Sequence, residues 1–112
     1  LFLNLGGIKM KKVTLSKPFM LDGKEITEIV FDFDKLTGKD ILTAESNLHL
    51  KHKEHFQIYS QSTHVEVAAI ACGIHSEDLS RLPVTDFLEV TACAQFFLLN
   101  MDLQEEKESE DL

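Results

Sequence analysis

The sequence predicts an α+β fold, mostly helical, in which an N-terminal β-hairpin packs on three to four helices. Three observations predict it. Alternating apolar residues flank an Asp22-Gly23 pair, a strong hairpin signal because both central positions of a two-residue turn take φ > 0. Beyond Leu36, apolar residues recur at helical rather than strand spacing. The longest such run, Pro83 to Met101, carries charge only at Asp86 and Glu89. Both fall in its first turns, where the helix dipole favours anions.

At 112 residues one domain is expected, large enough to bury a core without disulfides or metal. The net charge of -8 is unevenly placed. Asp102, Glu105, Glu106, Glu108, Glu110 and Asp111 stand against one Lys107, so residues 102–112 hold -5 and the rest only -3. Arg81 is the sole arginine. Such a balance argues against a nucleic-acid partner, since phosphate binding needs clustered Lys and Arg. No run reaches the roughly 20 apolar residues of a membrane span. The opening Leu1-Phe2-Leu3-Asn4-Leu5 lacks the basic flank of a secretory signal, and Met10-Lys11-Lys12 looks like a natural start. The expected organisation is an extension over 1–10, a domain over 11–101 and an acidic, disordered tail over 102–112. Cys72 and Cys93 sit in apolar helical runs and read as reduced core thiols.

In the hairpin, Val13, Leu15 and Phe19 alternate with polar residues, and the return strand runs from Glu25 to Asp34. Ile29, Phe31 and Phe33 lie on one side of it; Glu28, Val30, Asp32 and Asp34 lie on the other. A strict register across Asp22-Gly23 would put Val13 and Leu15 on the side of Glu28 and Asp32. One extra residue near Lys17-Pro18, where Pro cannot donate to the ladder, corrects this, so a bulge is expected there. Leu36-Thr37-Gly38-Lys39-Asp40 opens the first helix, with Thr37 as N-cap and Asp40 closing a capping box. That helix fades in the His49–His55 stretch. Residues 56–62 read as a short helix or connector. Thr63-His64-Val65-Glu66 has the form of a capping box and is expected to open a small-residue helix stopped by Gly73. Ser76 to Leu82 reads as one capped turn. Pro83 then punctuates before the long helix, whose expected stripes are Val84, Phe87, Leu88, Thr91, Ala94, Gln95 and Leu98, with Val90, Phe97 and Met101 beside them.

Catalytic chemistry finds little support. His49, His52 and His55 could share a helix face, but Lys51 and Lys53 are interleaved and disfavour a cation. They read as a solvated, weakly helical linker. Asp32, Asp34 and Glu28 read as the polar face of a half-exposed strand rather than an acid/base or cation site. No nucleophile elbow, phosphate loop or dinucleotide glycine pattern occurs. The expectation is an interaction protein, with no catalytic, cofactor or metal residues.

The order of Lys17-Pro18, Asp22-Gly23-Lys24, Leu36-Thr37-Gly38-Lys39-Asp40, Ala44-Glu45, a small-residue helix ending at Gly73, and Leu79-Ser80-Arg81-Leu82-Pro83-Val84-Thr85-Asp86-Phe87 resembles the phage tail assembly chaperones of long-tailed phages, encoded next to the tape measure gene. The resemblance covers about Val13 to Met101. It implies a non-enzymatic protein without cofactor, from a phage or prophage, acting in the cytoplasm of the bacterial host. It implies binding to the tape measure protein to keep it soluble during tail assembly. It also implies a longer frameshifted product that engages the tail tube protein, and no nucleic-acid or membrane partner. Phe96, Phe97, Leu99 and Met101 are the expected partner-binding residues, since an apolar helical client needs apolar groove surface. Core packing or self-association is the competing role for these four. A small structural tail subunit retained in the virion is the competing function.

Overall fold

Asp22 and Gly23 take φ of 51° and 80°, which lets Leu21 pair directly with Lys24 across a two-residue turn. The turn joins β1 (Met10–Leu21) to β2 (Lys24–Asp32) in a two-stranded antiparallel sheet. These coordinates are a computed structural model describing residues 10–111, with side chains described for 11–100. It is 57% helical and 22% strand, an α+β hairpin-and-helices fold as the sequence predicts.

The expected bulge is present and larger than one residue. Thr14 pairs with Glu28 and Phe19 with Ile26. The first strand therefore advances five residues while the second retreats two, leaving three extra. Any odd number moves side chains to the opposite face, so one and three solve the same problem. Val13 pairs with Ile29, and Val13, Leu15, Ile29 and Phe31 are all buried. The return strand ends at Asp32, two residues short of expectation. A 3-10 turn over Phe33–Lys35 follows and still turns Phe33 inward, stacked 5.8 Å from Phe31.

Helix α1 (Gly38–Asn47) starts as expected: the Asp40 carboxylate accepts the Thr37 N–H at 2.9 Å. It ends in a π turn, Leu48–His52, and then Lys53 in the left-handed region at φ 57°. Helix α2 (Gln61–Cys72) begins two residues before the expected cap. Ser60 holds the N-cap position, and Thr63 lies inside the helix. Its hydroxyl accepts the Gln57 N–H at 3.0 Å, fastening the preceding loop instead of capping. Thr63 through Ala69 are all buried, because α1, α4 and β2 pack around this helix. Small Ala68 and Ala69 allow that approach. Gly73, at φ 74°, terminates it by donating its N–H to Ala69.

A single turn, α3 (Ser76–Leu79), buries Leu79 and leads through Pro83 into α4 (Val84–Asp111). The helical backbone runs beyond Met101, where the apolar pattern stops, through the acidic run to Asp111. Asp86 is 2% exposed. Its carboxylate accepts the Ser16 N–H at 3.1 and 3.2 Å and the Ser16 hydroxyl at 2.9 Å. The bulge frees the Ser16 N–H from the ladder, and α4 satisfies it. No helix among the described residues is long and apolar enough to cross a membrane.

Candidate functional site

The polar candidates resolve into structural roles. The π turn aims Lys51 and His52 at Glu66, whose side chain is 1% exposed in the middle of α2. Lys51 Nζ lies 3.6 Å from Glu66 and 3.0 Å from both Glu77 and the Ser76 hydroxyl. His52 Nε2 lies 3.2 Å from the other Glu66 oxygen. Burial opposes the charge on Lys51, but the Glu77 and Glu66 carboxylates outweigh it and raise its pKa. The Lys51 hydrogen bond in turn holds Glu77 below the usual carboxylate range. This cluster pins the π turn to α2 and α3. Of the histidine triplet, it is His52 that joins it. No set of three His, Cys, Asp or Glu among the described residues is placed to hold a metal ion. Asp32 pairs with Lys35 at 3.6 Å and Glu28 with Lys12 at 3.7 Å, on the hairpin's polar side.

The thiols are free and placed for packing. Burial pushes the Cys72 thiol up to about 11 and raises that of Cys93 as well. Both are protonated at neutral pH and poor nucleophiles there.

Helix α4 offers the surface a binding protein needs. Its inner side buries Val90, Ala94 and Leu98 against α2 and the hairpin. At about 100° per residue, Val84, Leu88, Ala92 and Phe96, at steps of four, and Leu99, at a step of three, fall on the opposite side. Val84 is 70% exposed, Leu88 53% and Phe96 65%. The other large exposed apolar side chains, Met20, Val30, Leu42, Leu50 and Tyr59, are spread over the hairpin, α1, the π turn and a loop. The α4 stripe is therefore the concentrated apolar surface among the described residues. Along its edge, between β1 and α4, run two adjoining cavities of about 260 Å³, both bordered by Lys11, Cys93 and Phe96.

The expected partner-binding residues divide. Phe96 stands on the open stripe. Leu99 is half-buried on the same side. Phe97 turns inward, its ring stacked 4.8 Å from Phe33. The side chain of Met101 lies outside the described residues. Val84, Leu88 and Ala92 were not among the expected contacts. Their signal is the four-residue step leading to Phe96; the expected stripe instead set Val84 and Leu88 with Thr91, Ala94 and Leu98, which are buried.

Over residues 12–99 the chain matches the sequence profile of a family described as phage tail assembly chaperone proteins, E, or 41 or 14. No curated protein and no solved structure matches it.

Proposed function

The chain belongs to the phage tail assembly chaperone family, and from that premise we propose that it binds and solubilises the tape measure protein during tail assembly in the bacterial cytoplasm. The observation that carries this reading is the exposed apolar stripe of α4, Val84, Leu88, Ala92 and Phe96. A long helical client exposes apolar stripes of its own before the tube encloses it. Laying one along α4 buries both, the helix-on-helix mode of recognition. Burying a side chain the size of Leu88 or Phe96 contributes up to roughly 1.5–3 kcal/mol, so three such contacts supply about 5–9 kcal/mol, of the same order as the roughly 4–15 kcal/mol that association costs, and further contacts along the client helix supply the rest. No acid/base pair, activated thiol or metal centre enters the reading. A longer frameshifted product would add contacts to the tail tube protein.

Co-expression with the tape measure protein tests this. The client should stay soluble and co-purify with the wild-type chain, and should aggregate with Leu88→Asp or Phe96→Asp. Aggregation in the presence of the wild-type chain and of its longer product would overturn the proposal. A second reading, a small subunit retained in the particle, draws on the hairpin, which has no third strand among the described residues and so offers edges for strand addition. Purified virions that contain the chain would favour that reading; virions that lack it favour the chaperone.

A further inference from the structure

We propose that the groove between β1 and α4 selects its client helix by charge: the helix that fits carries a carboxylate facing Lys11 and, about two turns along the same edge, a cation facing Glu89. This rests on the reading of the α4 stripe as the client site, and names the chemistry of that client.

The placement of the two charges carries the inference. Lys11 and Val13 lie two residues apart on β1 and so share one face of the strand. Val13 is buried, and Lys11 pairs across the ladder with Phe31, which is buried as well. The strand therefore directs Lys11 to the side on which α4 packs. Lys11 borders both cavities of the groove. In the one that reaches Phe97 and Asn100 it is the only charged residue among the described lining. Glu89 borders the other. Cys93 lies between the two charges: burial raises its thiol, Lys11 opposes that rise and Glu89 adds to it. The groove is thus positive toward Phe96 and Asn100 and negative toward Glu89. Glu89 and Phe96 are seven residues apart, about 10 Å along the helix.

Neither charge is neutralised within the fold. Lys12, which also borders the groove, is paired with Glu28 at 3.7 Å. Lys11 and Glu89 have no ion-pair partner among the described residues. Both are exposed and hydrated in the free chain. A client helix seated on Val84, Leu88, Ala92 and Phe96 takes the adjoining groove out of water with them. An ammonium or carboxylate that loses its water without gaining a counter-charge opposes binding. A helix apolar on every side is therefore a poorer fit than one whose edge supplies both charges. A helix of reversed polarity sets like charges against each other and is turned away, so a given client helix fits in one direction.

The test is binding of overlapping peptides, together spanning the tape measure protein, to the purified full chain, read by fluorescence anisotropy at low and at high salt. The peptides bound should carry an acidic and a basic residue about two turns apart beside an apolar stripe. Lys11→Glu, and separately Glu89→Lys, should raise the dissociation constant about 10-fold or more, with Lys11→Gln in between, and salt should shrink the difference. Exchanging the acidic residue of the tightest peptide for Lys should weaken it on the wild-type chain and restore it on Lys11→Glu. Both positions are exposed, so the melting of each variant should match wild type. Binding that is unchanged or tighter in Lys11→Glu, or bound peptides without such a charge pair, would overturn the inference. If those peptides still lose affinity with Leu88→Asp and Phe96→Asp, the client reading stands without the charge selection. A wild-type chain that binds none of the peptides overturns the selection, and co-expression then decides the client reading alone.

Discussion

Replacing Asp86 should unfasten the hairpin from α4, and the size of the effect follows from what the carboxylate holds. Asp86 is 2% exposed and accepts three contacts of 2.9–3.2 Å from Ser16. A hydrogen bond to a charged acceptor contributes roughly 1.5–3 kcal/mol net. The contacts share one carboxylate and one donor residue, so they count as one or two bonds, not three. Asp86 also sits in the first turn of α4, where a negative charge adds about 0.3–1 kcal/mol. Ser16 is solvent-exposed, so water recovers part of the loss once the carboxylate is gone. Asp86→Ala should therefore cost about 3 kcal/mol, a large share of the roughly 5–15 kcal/mol that stabilises a domain. The melting temperature should drop by about 12 to 24 °C. Asp86→Asn keeps one acceptor oxygen and should cost about half as much. Ser16→Ala loses only the hydroxyl bond and should cost about 1 kcal/mol. Urea denaturation with an unchanged m-value measures all three. A loss under about 0.5 kcal/mol for Asp86→Ala, within the range of ordinary surface substitutions, or a Ser16→Ala cost above that of Asp86→Ala, would refute the assignment.

Deleting Lys17 alone leaves an even number of extra residues in β1, turns Val13 and Leu15 away from the core and should abolish cooperative unfolding; deleting Lys17 and Pro18 together restores an odd number and should preserve it. Phe97→Asp should cost about 3–5 kcal/mol in thermal or urea unfolding, because it removes a ring stacked on Phe33 and leaves a charge inside, whereas Phe96→Asp should leave unfolding unchanged. Cys72 is raised to about 11 in the fold from an ordinary value of 9.0, so its contribution is complete below pH 9 and is lost as pH rises toward 11; Cys72→Ala should flatten that alkaline decline by up to about 3 kcal/mol.

The hairpin was the most legible element because its signals are local. Asp22-Gly23 fixes the turn, and the clash of faces between Leu15 and Glu28 calls for a bulge. The number of extra residues was not legible, since one and three satisfy the same parity, and the choice depends on Ser16 reaching Asp86 on a distant helix. The Thr37–Asp40 cap was read correctly because both partners lie within one turn. The same motif at Thr63–Glu66 misled. Thr63 serves a loop residue six positions earlier, and Glu66 serves Lys51 and His52 across the fold. Tertiary partners overrode a local pattern in each case. Of the four expected contacts, Phe96 is the one that stands open to solvent, and apolarity beyond what one neighbour can cover is visible in sequence. Phe97 was placed beside it, but which of two adjacent phenylalanines faces Phe33 depends on how the hairpin is seated.

The two faces of α4 answer different physical demands. Val90, Ala94 and Leu98 leave water on folding and stabilise the domain. Val84, Leu88 and Phe96 gain much less from folding, because more than half of each stays in water. Apolar groups left there lower solubility, and a chain of this size could place Lys or Glu at all three positions without loss of stability. The acidic run after Met101 offsets that exposure with charge. It cannot replace a covering partner, since charge restrains association through repulsion that salt screens within about 10 Å, while the apolar attraction persists. On the client reading proposed above, the length of the stripe sets the partner's form. From Val84 to Leu99 it extends about 22 Å at 1.5 Å per residue, about four turns of a facing helix. A short peptide loop would leave Val84 or Leu99 uncovered, whereas a continuous client helix would cover both.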